Sequence, residues 1–207
     1  MVEFGGWDMP VQYPAGTVAE HLRTRTAAGL FDVSHMGEID VRGGAAIPFI
    51  NRLVSNDATK LIDDQAQYSA LTTPDGTVID DLLVYRFRED HLLLVVNAGT
   101  TDKDWEWIKS HHQRERVELR NASSEYCQLA LQGPQAISIL QQLTDLPLAE
   151  IKYYHFHQGQ VDGHTGGRPG PGRRDVFLRR KHACRPDGSG SVGQQPDGAE
   201  RDCALYA

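Results

Sequence analysis

The sequence predicts an α+β fold built on a largely antiparallel sheet. Short runs of β-branched, aromatic and leucine residues recur along the first 163 residues and are separated by turn residues. Two of these runs are joined by Pro-Asp-Gly, and Asp-Gly supplies the positive φ that a tight hairpin needs. A few helical segments interrupt the strands without a strict β-α alternation, which favours α+β over a parallel α/β fold.

The first half of the chain shows helices and strands in mixed order. A helix is predicted from Ala15 to Ala28 and ends at Gly29, a good left-handed stop. A loop then leads into a strand that places Ile39 and Val41 on one face, and a short helix follows over residues 45–54. Three strands come next, in the segments "QYSALTT", "TVIDDLLVYRF" and "LLLVVNA".

The next segment begins with a helix at about Thr101, where Thr101 and Asp104 have the spacing of a capping pair. Two more strands, a helix with Pro134 in its first turn and a last strand follow, in the segments "VELRNAS", "CQLALQG", "GPQAISILQQL" and "YYHFHQGQV".

Composition divides the chain near residue 163. Residues 1–163 hold 13 Lys and Arg against 23 Asp and Glu, whereas residues 164–207 hold 8 against 5 and also carry 8 of the 20 glycines. Such a glycine-rich, proline-rich segment offers little apolar surface to offset the entropy lost on ordering. We therefore expect residues 1–163 to fold as one domain, and residues 164–207 to be disordered and read out of frame.

The totals exclude several classes of protein. A net charge of −7 argues against a nucleic-acid binder. No apolar run is long enough to span a membrane, and the N-terminus lacks the pattern of a secretory signal. Three cysteines do not form a disulfide framework, so a reducing, cytoplasmic setting is expected.

Most candidate chemical motifs are weak. "VRGGAAIP" lacks the Lys-Ser/Thr of a phosphate loop. His155 and His157 share a strand face, but a third metal ligand cannot be named, so two ordinary strand histidines are the favoured interpretation and no metal is expected. Ser34 and His35 are sequence neighbours, which rarely gives a productive nucleophile and base.

Two adjacent aspartates interrupt the apolar strand "GTVIDDLLVYRF". Successive side chains of a strand point to opposite faces, so Asp81 shares a face with Leu83, Tyr85 and Phe87, and Asp80 shares the other with Arg86. Arg86 is a possible cationic partner for Asp80. Asp81 instead lies among apolar and aromatic neighbours, where it could be either a structural turn residue or a functional carboxylate.

Several segments in order resemble one family. "FGGWDMPVQY", "GLFDVSHMGEI", "YSALTTPDGTVIDDLLVYRF", "LLVVNAGTTDKDWEWI" and "LALQGPQA" are similar to the aminomethyltransferases, or T proteins, of the glycine cleavage system. The resemblance runs from about Val2 to residue 163 and stops at His164, before the "GYTGE"-type motif that carries a folate-binding glutamate in the family.

The resemblance implies a role for each of four residues. It assigns Asp81 to the aspartate that contacts tetrahydrofolate and is needed for catalysis, and it places Met36, Tyr85 and Asn97 near the folate. The implied fold is an incomplete folate-binding domain of α+β type.

The implied reaction is aminomethyl transfer from the lipoyl arm of the H protein to tetrahydrofolate, which gives ammonia and methylene-tetrahydrofolate without a metal. Activity is expected to be impaired in this chain. Two alternatives stay open, a folate-binding relative without transferase activity and an inactive fragment.

Overall fold

A computed structural model describes residues 1–112, 116–161, 164–165, 177–182 and 201–206. The chain divides into two compact units. One comprises Met1–Glu3, Asp8–Val33 and Cys127–Ala207, and the other comprises Phe4–Trp7 and Ser34–Tyr126. Both units contain antiparallel sheets and short helices, so the α+β prediction is confirmed.

The unit that includes Ser34–Tyr126 is built on a five-stranded antiparallel sheet. Its strands, in chain order, are β4 (Gly37–Arg42), β5 (Gln65–Thr72), β6 (Val78–Arg88), β7 (His91–Val96) and β8 (Glu118–Asn121). In the sheet they lie in the order β5-β6-β7-β4-β8. Helices α2 (Ala46–Asn51) and α3 (Thr101–Ser110) belong to the same unit.

One face of this sheet packs into the main core, and several residues of the other face are buried as well. Leu82 and Val84 of β6 join Leu94 of β7 and Ile39 of β4 in a cluster that includes Phe49 of α2. Leu82 and Val84 alternate with Asp81, Leu83 and Tyr85 along β6, because strand side chains alternate between faces. The predicted separation of Asp80 and Asp81 onto opposite faces of the strand follows the same alternation.

The turn between β5 and β6 has the predicted Pro-Asp-Gly geometry. Gly76 has φ of 88°, and its N–H donates to the carbonyl of Thr73 at 2.9 Å. Only glycine adopts this left-handed conformation readily, so Gly76 lets the chain reverse and pair β5 with β6 over their length.

The other unit holds a second antiparallel sheet, of order β10-β13-β14-β9-β3, and a smaller core around Leu131, Leu140 and Ile151. Its elements are α1 (Thr17–Thr26), β3 (Gly29–Asp32), β9 (Gln128–Gln132), α4 (Ala136–Leu140), β10 (Phe156–Gln158), β11 (Gln160–Val161), β12 (His164–Thr165), β13 (Phe177–His182) and β14 (Arg201–Tyr206). A two-stranded sheet of β1 (Val2–Phe4) and β2 (Trp7–Met9) precedes them.

Three short strands fall inside the segment that the sequence predicts to be disordered. β12 pairs with β11, and β13 and β14 pair with each other. The rest of residues 164–207 lies outside the described residues, so disorder of that remainder and its reading frame stay predictions.

Two local predictions are corrected. Residues 29–32 form strand β3 rather than a loop, because they pair with residues 129–132 of β9, a partner that lies about a hundred residues away and leaves no local signal. Thr101 and Asp104 do not form a cap: Thr100 is the N-cap residue and no side chain caps the helix. Asp104 is instead completely buried.

Candidate functional site

Asp81 lies at the end of β6, where its carboxylate accepts two hydrogen bonds. The hydroxyl of Tyr68 on β5 donates to Oδ2 of Asp81 at 2.6 Å, and the amide of Asn97 donates to Oδ1 at 3.0 Å. Tyr68 reaches Asp81 because Ala70, two residues along β5, pairs directly with Asp81. The carboxylate is thus held in one orientation while the residue stays partly exposed.

Asn97 contacts both members of the Asp-Asp pair. Its Nδ2 lies 3.0 Å from Oδ1 of Asp80, 3.0 Å from Oδ1 of Asp81 and 3.2 Å from the carbonyl oxygen of Asp81. The amide nitrogen therefore bridges two carboxylates that point to opposite faces of β6. This contact brings together two of the residues that the resemblance singles out, Asp81 and Asn97.

Asp80 is anchored within the protein. Besides Asn97, the backbone N–H of Asp81 donates to its Oδ1 at 2.9 Å, and the hydroxyl of Thr100 donates to its Oδ2. Burial alone would raise the pKa of the Asp80 carboxyl, but these hydrogen bonds, that of Thr100 first, hold its pKa below the usual range. Asp80 is therefore a fixed anion.

The predicted partner of Asp80 is wrong. Arg86 donates instead to Oδ1 of Asp63 at 2.8 Å and to the carbonyl of Leu61 at 2.7 Å. Although Asp80 and Arg86 share a strand face, six residues of extended strand span about 20 Å, which is beyond the reach of one side chain.

Met36 directly precedes β4, and Tyr85 lies on β6, the strand of Asp81. Gly37 pairs with Val96, and Val96 pairs with Leu82, so these three residues are neighbours across the sheet. Met36, Asn97 and Asp81 are each the next residue of the chain on the same side of these three, so their backbones also lie side by side. Tyr85 is buried four residues along β6, on the same face as Asp81. The backbone thus places all four predicted residues in one unit.

A close approach of α3 to β4 fixes the turn that carries Asn97. A Cβ at Gly37 would lie 2.5 Å from Cγ2 of Thr101, the first residue of α3. Glycine at position 37 therefore lets the start of α3 lie directly on β4.

A second buried acid, Glu38, lies on β4. Its side chain is 1% exposed, and neither carboxyl oxygen has a hydrogen-bond partner within the described part of the chain. Burial raises the pKa of Glu38 to about 8. Glu38 is therefore a neutral acid near pH 7, with a proton that it can donate.

Asp40, two residues further along β4, is a buried anion held by two arginines and a histidine. Nε of Arg42 and Nε2 of His91 each lie 2.7 Å from its carboxylate, and Arg120 lies at 3.3 Å. Burial would raise the pKa of Asp40, but the hydrogen bonds from His91 and Arg42 lower it to about 2. This cluster ties β4, β7 and β8 together.

Sequence reasoning missed Tyr68, Thr100 and Glu38 in this region, and it assigned Asp104 to a helix cap instead of a buried position. Tyr68 could have been found from the hairpin, since the Pro-Asp-Gly turn fixes which residues of β5 face those of β6. Glu38 and Asp104 carry no such local signal, because their burial depends on packing between distant segments.

The described residues hold no group of three or more His, Cys, Asp or Glu side chains that could bind a metal ion. His155 places its Nδ1 2.9 Å from the carbonyl of Tyr153. Among the helices within the described ranges, none is both long and apolar enough to cross a membrane.

Comparison with known proteins identifies relatives for most of the chain. The model of the GCVT N-terminal domain family matches residues 1–166. The aminomethyltransferase of Desulforamulus reducens is 55% identical over 190 residues, which cover 89% of this chain and 52% of that protein. The aminomethyltransferase of Desulfitobacterium hafniense is 46% identical over 208 residues, or 96% of this chain and 57% of that protein.

Solved structures agree with these matches. The glycine cleavage system aminomethyltransferase T from Bartonella henselae superposes with a TM-score of 0.76 at 32% identity, over 99% of this chain and 48% of that one. A heterotetrameric sarcosine oxidase from Corynebacterium sp. U-96 gives a TM-score of 0.54 at 15% identity, over 95% of this chain and 86% of that one, which shows a shared fold alone.

The chain spans about half the length of the curated aminomethyltransferases that it matches. Within that span the family model covers residues 1–166, close to the extent of the resemblance in the sequence, whereas both alignments with the curated relatives, over 96% and 89% of this chain, extend beyond the predicted break at His164. By its GCVT N-terminal domain, the chain belongs to the aminomethyltransferase family.

Proposed function

We propose that this chain carries the folate-contacting part of a tetrahydrofolate-dependent aminomethyl transfer. The donor is the aminomethyl group on the lipoyl arm of the H protein, and the products are ammonia, methylene-tetrahydrofolate and the reduced lipoyl arm. Membership of the aminomethyltransferase family supports the reaction class. The cytoplasm is the proposed location.

The observation that carries the proposal is the arrangement of Asp81. Its carboxylate is held by Tyr68 and Asn97, yet the residue remains partly exposed, so one edge is open to a ligand. A carboxylate fixed in this way needs no reorganisation when positive charge develops beside it. Asp81 would orient the folate nitrogen and stabilise the iminium-like cation as the carbon leaves sulfur for nitrogen.

Positioning is the main contribution that this reaction asks of the protein. The donor carbon and the folate nitrogen must be brought within bonding reach, and holding two reactants together can supply several kcal/mol of the barrier. Met36, which precedes β4, Tyr85 of β6 and Asn97, which follows β7 and donates to Asp81, are the proposed folate contacts. Neither a metal nor a covalent enzyme intermediate takes part in the proposed route.

Release of ammonia from aminomethyl-loaded H protein in the presence of tetrahydrofolate tests the proposal. Asp81→Asn should reduce the turnover of this reaction tenfold or more while leaving the melting temperature nearly unchanged, because the amide keeps the shape of the side chain and loses its charge. Asp80→Asn is the matched control and should cost less. A greater loss with Asp80→Asn would contradict the assignment of Asp81.

A folate-binding protein without transferase activity is the second candidate. The fold shared with a sarcosine oxidase favours it, since that fold is not confined to aminomethyltransferases. Tetrahydrofolate binding without ammonia release in the same assay would support this second function. Absence of both binding and release would support the third interpretation, an inactive fragment.

A further inference from the structure

Asp104 is a buried acid that the proposed reaction does not use. It lies on the first turn of α3 with its side chain completely buried. Within the described part of the chain, neither of its carboxyl oxygens accepts a hydrogen bond from a donor. A buried carboxylate without donors is costly, so the carboxyl group is expected to hold a proton.

The first turn of α3, which carries Asp104, lies against β6 beside Asp80, since the hydroxyl of Thr100 donates to Asp80 and Nζ of Lys103 donates to the carbonyl of Ile79 at 2.7 Å. Burial and then the interaction with Asp80 raise the pKa of Asp104 to about 7, whereas the pKa of Asp80 is lowered. Thr100 and Asn97 both donate to Asp80, which favours its ionised form. Two adjacent carboxyl groups with opposite shifts share one proton, and that proton resides on Asp104.

The contact continues from Asp80 to Asp81. Nδ2 of Asn97 lies at 3.0 Å from an oxygen of each aspartate, so the position of the amide depends on both. The backbone N–H of Asp81 also donates to Asp80 at 2.9 Å. A movement of Asp80 would therefore displace the groups that hold Asp81.

We propose that Asp104 and Asp80 form a proton-sharing pair that positions Asp81 through Asn97. In this arrangement Asp104 donates a hydrogen bond to Asp80, Asp80 fixes the Asn97 amide, and Asn97 fixes the Asp81 carboxylate. Asp104 and Asp80 are positioning residues, since neither has to touch the substrate. The proposal deepens the function proposed above, because it rests on Asp81 as the folate-contacting group.

The charged groups that face the pair come from α3 and β6. Lys103, next to Asp104 on α3, donates from Nζ to the carbonyl of Ile79 at 2.7 Å, and its charge slightly favours ionisation of Asp104. Asp80 on β6 is the anion that opposes ionisation of Asp104. Loss of the shared proton would place two repelling carboxylates beside Asn97.

Three variants of the full chain separate the proposal from a purely structural role of the pair. Asp104→Asn supplies a permanent hydrogen-bond donor to Asp80, and Asp104→Leu removes the donor. Asp102→Asn is the control, since Asp102 is exposed on the same helix. Each protein is titrated from pH 5 to 9, with the Asp81 carboxyl followed by carbon-13 NMR and tetrahydrofolate affinity measured at each pH.

In the wild type and in Asp102→Asn, the Asp81 resonance should shift, and the dissociation constant for tetrahydrofolate should rise fivefold or more, as the pH passes through about 7. Asp104→Asn should abolish both changes. Asp104→Leu should weaken binding tenfold or more already at pH 6. Identical pH profiles in the wild type and Asp104→Asn would overturn the proposal.

The NMR titration decides the proposal even where tetrahydrofolate does not bind. A chain that shows the pH-dependent Asp81 shift but no folate affinity would retain the proton-sharing pair and refute the proposed function. A folded Asp104→Asn protein whose Asp81 resonance still shifts near pH 7 would refute the pair, whatever the affinity. If Asp104→Leu fails to fold, the comparison of the wild type with Asp104→Asn remains decisive.

Discussion

Glu38 should make the protein less stable as the pH rises, and Glu38→Gln should remove this effect. The side chain is 1% exposed and finds no hydrogen-bond partner among the described residues. Glutamine has nearly the same size and stays neutral at every pH. The substitution therefore changes the charge that Glu38 can acquire and little else.

The size of the effect follows from the pKa. Burial raises the pKa of Glu38 from 4.5 to about 8 in the folded protein. Between these two values the folded state holds a proton that the unfolded state has released, so stability falls with rising pH, by about 1.4 kcal/mol per unit. The loss attributable to Glu38 reaches about 3 kcal/mol at pH 7 and is close to zero below pH 4.5.

Urea unfolding at pH 5, 6, 7 and 8 measures this loss directly. The difference in unfolding free energy between Glu38→Gln and the wild type should grow by about 1.3 kcal/mol per pH unit up to pH 7 and by about 1 kcal/mol from pH 7 to 8. Glu106→Gln is the control, because Glu106 is exposed on α3, and its difference should be independent of pH. A pH-independent difference for Glu38→Gln would refute the reasoning.

Three further predictions concern the frame of the site and the tail. Asp40→Asn should destabilise the protein by about 2 kcal/mol at pH 7, since it leaves His91, Arg42 and Arg120 without their anion. In chemical unfolding this loss of stability should become smaller towards pH 3, because a carboxyl whose pKa is lowered by folding stabilises the protein fully only above its pKa in the unfolded chain. A loss that does not change with pH would contradict this prediction. Gly37→Ala should lower the free energy of unfolding by about 1–3 kcal/mol, because the new Cβ clashes with Thr101. Gly44→Ala, where a Cβ meets nothing within 4 Å, should leave stability nearly unchanged, as measured by thermal melts of both variants. Equal losses of stability in the two variants would count against the close approach of α3 to β4. Limited proteolysis should cut first between Gly166 and Arg185, as the composition of the tail predicts, and a first cut within residues 1–163 would argue against that prediction.

Alternation along a strand was enough to separate the two aspartates. The period of two is a local property of extended backbone, so the faces of β6 follow from the sequence of β6 alone. The residues that contact each face of β6 cannot be predicted from the sequence of β6 alone. Asp80 was expected beside Arg86, yet it binds Thr100 and Asn97, which arrive from the turn after β7.

The same limit explains the correction at α3. Thr101 and Asp104 have the spacing of a cap, and spacing is all that the sequence displays. The side chain of Asp104 is instead buried beside Asp80, where α3 and the sheet meet. Buried acids such as Asp104 and Glu38 cannot be recognised from the sequence, because aspartate and glutamate side chains are normally exposed.

The alternation along β6 has a consequence for how motifs are compared between relatives. Asp80 and Asp81 are chemically identical, and the packing of Leu82 and Val84 in the main core decides which of the two shares its face with that core. A shift of β6 by one residue against its neighbours would exchange them, at the cost of removing both apolar side chains from that core. When a distant relative has a single aspartate at this pair, the number of residues between that aspartate and the apolar core residues of the strand should be counted. An odd or an even number then decides whether the relative keeps the ligand-facing aspartate or the anchoring one.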